Sequence, residues 1–229
     1  MTHLVVLPGL DGTATMHAEF VEAMHSSFET VSVIPYPTDH ILSYGELEAL
    51  VRNSLPGGRF VLLGESFSGP IAISIAAAQP RGLAGLVLST SFSRKPVPIL
   101  SGFAALVAFA PVRTLPEWML SYVLLGPWRT PELMSSLQLA LESVNPEVLR
   151  ARVAATMRIN VTSRLGEINV PILCLRATDD RLILRAASGE IASKAKNVSV
   201  VDIRGPHLLL QAAPRDCALA VAEFAALLD

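Results

Sequence analysis

Charge is what this sequence has least of. Asp, Glu, Lys and Arg make up only 17% of the 229 residues, the net charge is −2, and no block of one sign occurs. A chain so patterned has nothing to draw in nucleic acid or an anionic membrane, so neither is expected as a partner. Cysteine is nearly absent. Cys174 and Cys217 fit neither a disulfide framework nor a metal pattern and lie in apolar stretches, so they read as reduced core residues. A membrane-length apolar run is missing too. The most apolar stretch, 97–112, is broken by Pro98, Ser101 and Pro111 and is shorter than the ~20 residues a span needs. The N-terminus runs straight into an apolar strand without a basic region or cleavage site, so no signal peptide is expected and a cytoplasmic protein is the default. No internal repeat or low-complexity segment stands out.

Apolar residues are present in excess: 51% of the chain, with a mean hydropathy of +0.47. That excess must go into a deep core, an apolar pocket or a subunit interface, which leaves room for a homodimer. The length suits one domain, or one domain with an insertion.

Six short apolar runs, at 2–7, 30–34, 59–63, 83–88, 170–175 and 198–203, read as strands, most of them followed by a helix. Helices are expected at 14–28, 42–55, after Gly69, at 184–196 and at 214–228. Repeated strand–helix alternation means a mainly parallel six-stranded sheet covered on both faces, a three-layer α/β/α sandwich. Between 94 and about 165 no strand is evident, only helical segments split by prolines at 96, 98, 111, 116, 127, 131 and 146. The expected organisation is a core of 1–93 and 166–229 interrupted by a helical cap or lid at 94–165.

The chemistry gathers around RFVLLGESFSGPIAISIA, residues 59–76. A buried strand gives way through Gly64-Glu65-Ser66-Phe67-Ser68 to a helix with Pro70 in its first turn. Such a strand–turn–helix is the layout of a nucleophile elbow, in which Ser66 stands exposed above the sheet. The fifth position, commonly Gly, is Ser68 here.

A serine hydroxyl needs a base, and the base an orienting acid. In elbow hydrolases the chain order is Ser, acid, His. Of the histidines at 3, 17, 25, 40 and 207, only His207 follows Ser66, in the loop after the last strand. The acid belongs in Arg176-Ala177-Thr178-Asp179-Asp180-Arg181. Either aspartate could reach His207; Asp180 is favoured, and the other would be a turn residue or the N-cap of the next helix.

These pieces together resemble the α/β-hydrolase family. LPGLDGT resembles its oxyanion loop, GESFSG its elbow, and PILCLRATDDRLIL with VVDIRGPHLLL its strand–acid and strand–His segments. The resemblance implies an oxyanion hole made by the backbone N–H groups of Leu10 and Phe67. It also marks departures: Pro8 replaces a common His, Pro206 replaces the Gly before the catalytic His, and the first antiparallel hairpin is absent. Serine rather than aspartate as nucleophile disfavours dehalogenase and epoxide hydrolase chemistry.

The expected activity is that of a serine hydrolase cleaving a small-molecule carboxylic ester with an apolar, small-to-medium acyl group. No metal and no cofactor is required. A thioesterase or acyltransferase with the same residues is the alternative, and a non-catalytic ligand-binding protein a more distant one. Phe103, Phe109, Trp118, Met119, Tyr122, Trp128 and Met134 are the candidates to pack the cap or line the acyl site. The cations of this block, Arg94, Lys95, Arg113, Arg129, Arg150, Arg152, Arg158 and Arg164, form no evident anion cluster.

Overall fold

The computed structural model describes residues 2–96 and 117–228. Its strands are β1 (His3–Leu7), β2 (Thr30–Val33), β3 (Phe60–Glu65), β4 (Leu83–Ser89), β5 (Ile172–Ala177) and β6 (Val198–Ile203). They form one sheet in the order β2-β1-β3-β4-β5-β6, every pair parallel. This is the expected α/β fold. The strands with the most continuous apolar runs lie inside the sheet: all six residues of β3 are buried, whereas the edge strand β2 alternates between half-buried and exposed residues.

Because successive side chains on a strand point to opposite faces, each central strand feeds two cores. Val5, Leu7, Phe60, Leu62, Leu86, Leu88, Ile172 and Cys174 face one of them. Leu4, Val6, Val61, Leu63, Val87, Leu173 and Leu175 face the other. The first core is closed by α2 (Tyr44–Asn53), α3 (Gly69–Ala77) and α7 (Arg185–Lys194). The second is closed by α1 (Ala18–Met24), the short α8 (Leu209–Ala212) and α9 (Pro214–Ala226) through Phe20, Met24, Leu209, Cys217, Val221 and Phe224. Both thiols are free and buried, and burial pushes them up to about 12, so they stay protonated and act as apolar groups.

Between β4 and β5 the chain forms α4 (Glu117–Leu124), α5 (Pro131–Glu142) and α6 (Pro146–Thr156), with short 3-10 turns at Gly126–Trp128 and Thr162–Glu167. Among the described residues the segment's one β contact is an isolated antiparallel bridge between Arg94 and Asn160. Two of the prolines begin helices rather than break them. Pro131 and Pro146 occupy first-turn positions behind Thr130 and Asn145, whose side chains accept from the N–H groups of Leu133 and Glu147. Of the helix expected at 14–28, only Ala18–Met24 is α-helical. Thr15–His17 is a 3-10 turn, and neither start has a side-chain cap.

Candidate active site

In an all-parallel sheet every strand delivers its following loop to the same edge. The loops after β1, β3, β5 and β6 are those that contain Leu10, Ser66, Asp180 and His207. One cavity at that edge is lined by Leu10, Ser66, Phe67 and His207, together with Gly9, Asp11 and Glu65.

Ser66 lies at φ +45°, in the left-handed region that a residue with a Cβ seldom occupies. The turn is held in this conformation by close packing on both sides. A Cβ on Gly64 would lie 2.7 Å from that of Ala72, and one on Gly69 would overlap the side chain of Ser91. Ser91 in turn donates from its hydroxyl to the Ser66 carbonyl at 2.8 Å. The hydroxyl of Ser68 is fully buried, donates to the Pro8 carbonyl, and accepts from Tyr36 at 2.6 Å. This serine therefore ties the elbow to the loop after β1.

Ser66 Oγ lies 2.9 Å from His207 Nε2, and His207 Nδ1 lies 2.9 Å from Asp180 Oδ2. The other carboxylate oxygen, Oδ1, accepts the N–H groups of Leu182 at 2.7 Å and Ile183 at 2.8 Å, so the carboxylate is fixed from two directions. Burial alone would lower the pKa of His207. The Asp180 carboxylate, with a further contribution from Glu65, outweighs burial and raises it above the ordinary value. Asp179 points elsewhere, toward the indole N–H of Trp128 at 3.3 Å. Neither aspartate caps the following helix, whose N-cap position is Leu184 without a side-chain bond.

Several groups at the site gave no signal in the sequence. His17 Nε2 is 2.9 Å from Glu65 Oε2 with both side chains buried, directly behind the elbow. Arg152, 4% exposed, donates to the carbonyls of Leu10 at 3.0 Å, Asp11 at 2.6 Å and Pro37 at 2.8 Å. The wall of the cavity away from the sheet is aliphatic: Leu120, Val123, Leu124, Leu137, Leu141, Val153 and Met157. Of the candidates to pack the cap or line the acyl site, Trp118, Met119, Tyr122, Trp128 and Met134 are not among its lining residues. Trp118 and Tyr122 are exposed, while Phe103 and Phe109 fall outside the described residues. Branched aliphatics at helical spacing look identical in sequence whether they pack a core or line a cavity, so nothing marked these in advance. Among the described residues no group of His, Cys, Asp or Glu could hold a metal ion, and no helix is long and apolar enough to cross a membrane.

No curated protein matches the chain. Among solved structures, an enol-lactonase from Burkholderia xenovorans LB400 superposes with a TM-score of 0.83 at 16% identity, over 97% of this chain and 90% of that one. An esterase from Exiguobacterium antarcticum gives 0.83 at 11% identity, over 99% and 92%. A thermophilic esterase from Thermogutta terrifontis gives 0.77 at 21% identity, over 99% and 89%. At these identities the likeness is one of fold. The family model described as serine aminopeptidase, S33, matches residues 41–205, a range that includes Ser66 and Asp180 and most of the sheet. The chain thus belongs to the serine aminopeptidase S33 family of hydrolases, built on the α/β-hydrolase fold.

Proposed function

We propose that the protein is a serine ester hydrolase in which Ser66 is the nucleophile, His207 the general base and acid, and Asp180 the group that orients His207. The observation that carries this reading is the hydrogen-bonded row Ser66–His207–Asp180, with 2.9 Å at each step, built on an elbow whose serine sits at φ +45°. With its proton on Nδ1 facing Asp180, His207 presents Nε2 as an acceptor to the Ser66 hydroxyl. It takes that proton as Oγ attacks the acyl carbonyl, then returns it to the leaving alcohol as the tetrahedral intermediate collapses to the acyl-enzyme. Water, deprotonated by the same nitrogen, attacks the acyl-enzyme and releases the acid. The Leu10 and Phe67 N–H groups are the donors for the oxyanion, and neither meets a protein acceptor among the described residues.

In this reading the insertion at 94–165 is a cap on a core formed by 1–93 and 166–229; residues 97–116 lie outside the described residues, and the described part from 117 onward closes the cavity above Ser66. Its aliphatic wall and its volume of about 180 Å³, below the ~300–1,000 Å³ of drug-sized sites, suit a small-to-medium apolar acyl group. Among the described residues Asp11 and Glu65 line it and no Lys or Arg does, which disfavours an acyl group that carries a carboxylate.

The test is a panel of nitrophenyl esters of graded chain length, with an acyl-CoA and an aminoacyl nitroanilide alongside, run with wild type and Ser66→Ala. Ester turnover by wild type, its loss in Ser66→Ala, and fluorophosphonate labelling confined to wild type are the expected results. A wild-type protein that takes up no fluorophosphonate refutes the reading. Preferential cleavage of the thioester or the anilide moves the activity to that bond.

A further inference from the structure

The loop from Pro8 to Gly12 has every one of its five carbonyls occupied. Pro8 O accepts from Ser68 Oγ, and Gly9 O accepts from Gly12 N at 3.1 Å, closing a four-residue turn. Leu10 O and Asp11 O both accept from Arg152 Nη1, and Gly12 O accepts from Tyr36 N at 2.8 Å. Since the peptide unit is planar and trans, holding Gly9 C=O inward in the turn sends the Leu10 N–H, on the other side of the same plane, in the opposite direction. The two central carbonyls of that turn, those of Leu10 and Asp11, have one donor between them among the described residues, and it comes from a different part of the chain.

Arg152 is costly for the fold to keep there. The residue is 4% exposed and makes no hydrogen bond to a carboxylate: its described hydrogen-bond partners are the carbonyls of Leu10, Asp11 and Pro37, with the Tyr36 ring 5.7 Å away. Burial lowers its pKa below the ordinary value against the opposing pull of the Asp11 charge. A buried cation held by neutral carbonyls, with a nearby carboxylate, Asp11, that offsets only part of the burial, loses more hydration than such contacts usually return. Its helix otherwise packs through apolar residues, Val148, Leu149 and Val153, so an apolar side chain would serve packing as well. The opposing loop leaves a space for it as well. A Cβ on Gly12, at φ +71°, would collide with the guanidinium.

We propose that Arg152 is a positioning residue for oxyanion stabilisation, gripping the Leu10 and Asp11 carbonyls from α6 and thereby fixing the direction of the Leu10 N–H. This rests on the serine-hydrolase reading above. The same helix supplies Val153 to the cavity wall, so one helix contacts both the acyl-binding wall and the oxyanion turn. Arg152 touches no reacting atom; it acts through the turn.

The experiment compares wild type, Arg152→Met and Arg152→Lys as full-length proteins. It measures amide hydrogen exchange over residues 9–13, the rate of fluorophosphonate labelling at Ser66, and kcat and KM on the preferred nitrophenyl ester. Arg152→Met should accelerate exchange in the turn and slow labelling and kcat by about 10²–10³, the usual effect of one lost oxyanion donor, with KM within about threefold of wild type. Arg152→Lys keeps the charge but cannot span separate carbonyls, and should fold stably with a loss of about tenfold. Unchanged exchange in the turn overturns the proposal, as does faster exchange with an unchanged labelling rate. If wild type itself takes up no fluorophosphonate, the serine-hydrolase reading fails, and the exchange arm still decides whether Arg152 holds the turn.

Discussion

Replacing His17 should destabilise the protein far more than its distance from the reacting atoms would indicate. The His17 and Glu65 side chains are 1% and 3% exposed and meet at 2.9 Å. Burial alone would raise the Glu65 pKa, but the charge and hydrogen bond of His17, helped by the Gln211 side chain and the His207 charge, outweigh it and hold the carboxyl below its ordinary range. For His17 burial pulls the other way, and Glu65 prevails, raising the imidazole above its ordinary value. The pair is therefore ionised. Glu65 contributes stability that is full above about pH 4.3 and is lost as pH falls through its depressed folded value. His17 contributes stability that is full below about pH 6.5 and is lost as pH rises through its raised folded value. The plateau spans the interval between the two. Removing one partner strands the other as a buried charge, a penalty of about 3–5 kcal/mol. At roughly 2–4 °C per kcal/mol for a chain of this size, His17→Leu should lower Tm by about 6–20 °C at pH near 6. The double variant His17→Leu/Glu65→Leu, with no charge to strand, should lose much less than the sum of the singles. Thermal and urea unfolding of the four proteins across pH gives the cycle. Additive singles, or a His17→Leu shift of less than about 3 °C with an unaltered pH profile, would refute the reasoning.

The raised pKa of His207 places the acid limb of kcat/KM above the ordinary imidazole value near 6.5, because the base form must be present for attack. Asp180→Asn removes the main raising influence, so the limb should move to lower pH while kcat falls by about 10⁴-fold; a pH–rate profile of both proteins checks it. Leu137 is buried in the cavity wall, and Leu137→Trp should shift the ester panel toward shorter acyl chains. Each methylene no longer accommodated should lower kcat/KM by about 10-fold or more, while acetyl ester hydrolysis stays near the wild-type rate.

The fold was legible in the sequence because the apolar runs are short, bounded by glycine and proline and, outside the interruption at 94–165, regularly spaced. A strand buried on both faces has to be continuously apolar, and Phe60–Leu63 and Leu86–Leu88 are. The convergence of Ser66, Asp180 and His207 follows from the topology: parallel strands put all their carboxyl-end loops at one edge. What stayed hidden were residues whose role is set by what they face rather than by their type or spacing. Glu65 reads as the variable residue of an elbow, and its imidazole partner lies 48 positions upstream. Arg152 reads as one of eight scattered cations. Of the large apolar residues offered to pack the cap or line the acyl site, the described ones do not line the cavity, because size alone does not set which face of a helix a residue occupies. The chain instead exposes Trp118 and Tyr122 and turns Leu120, Val123 and Leu124 of the same helix toward the cavity.

Set beside one another, these hidden contacts have a common direction. From the segment between β4 and β5, Arg152 holds the loop after β1, and Trp128 donates to Asp179 in the loop after β5. Leu124 accepts the N–H of Leu208, the residue that follows His207, at 3.2 Å. Arg181, next to Asp180, donates to Tyr122 O at 3.0 Å and lies over its ring. Three loops that belong to the sheet are thus each bonded to helices that do not. The fourth, the elbow, needs no such support, since its own close packing at Gly64 and Gly69 fixes it. Ser68 completes the arrangement from below, its hydroxyl bridging the elbow and Pro8. A helical segment attached in this way sets the geometry of the loops it covers, and substitutions in it should reach turnover as well as substrate selection.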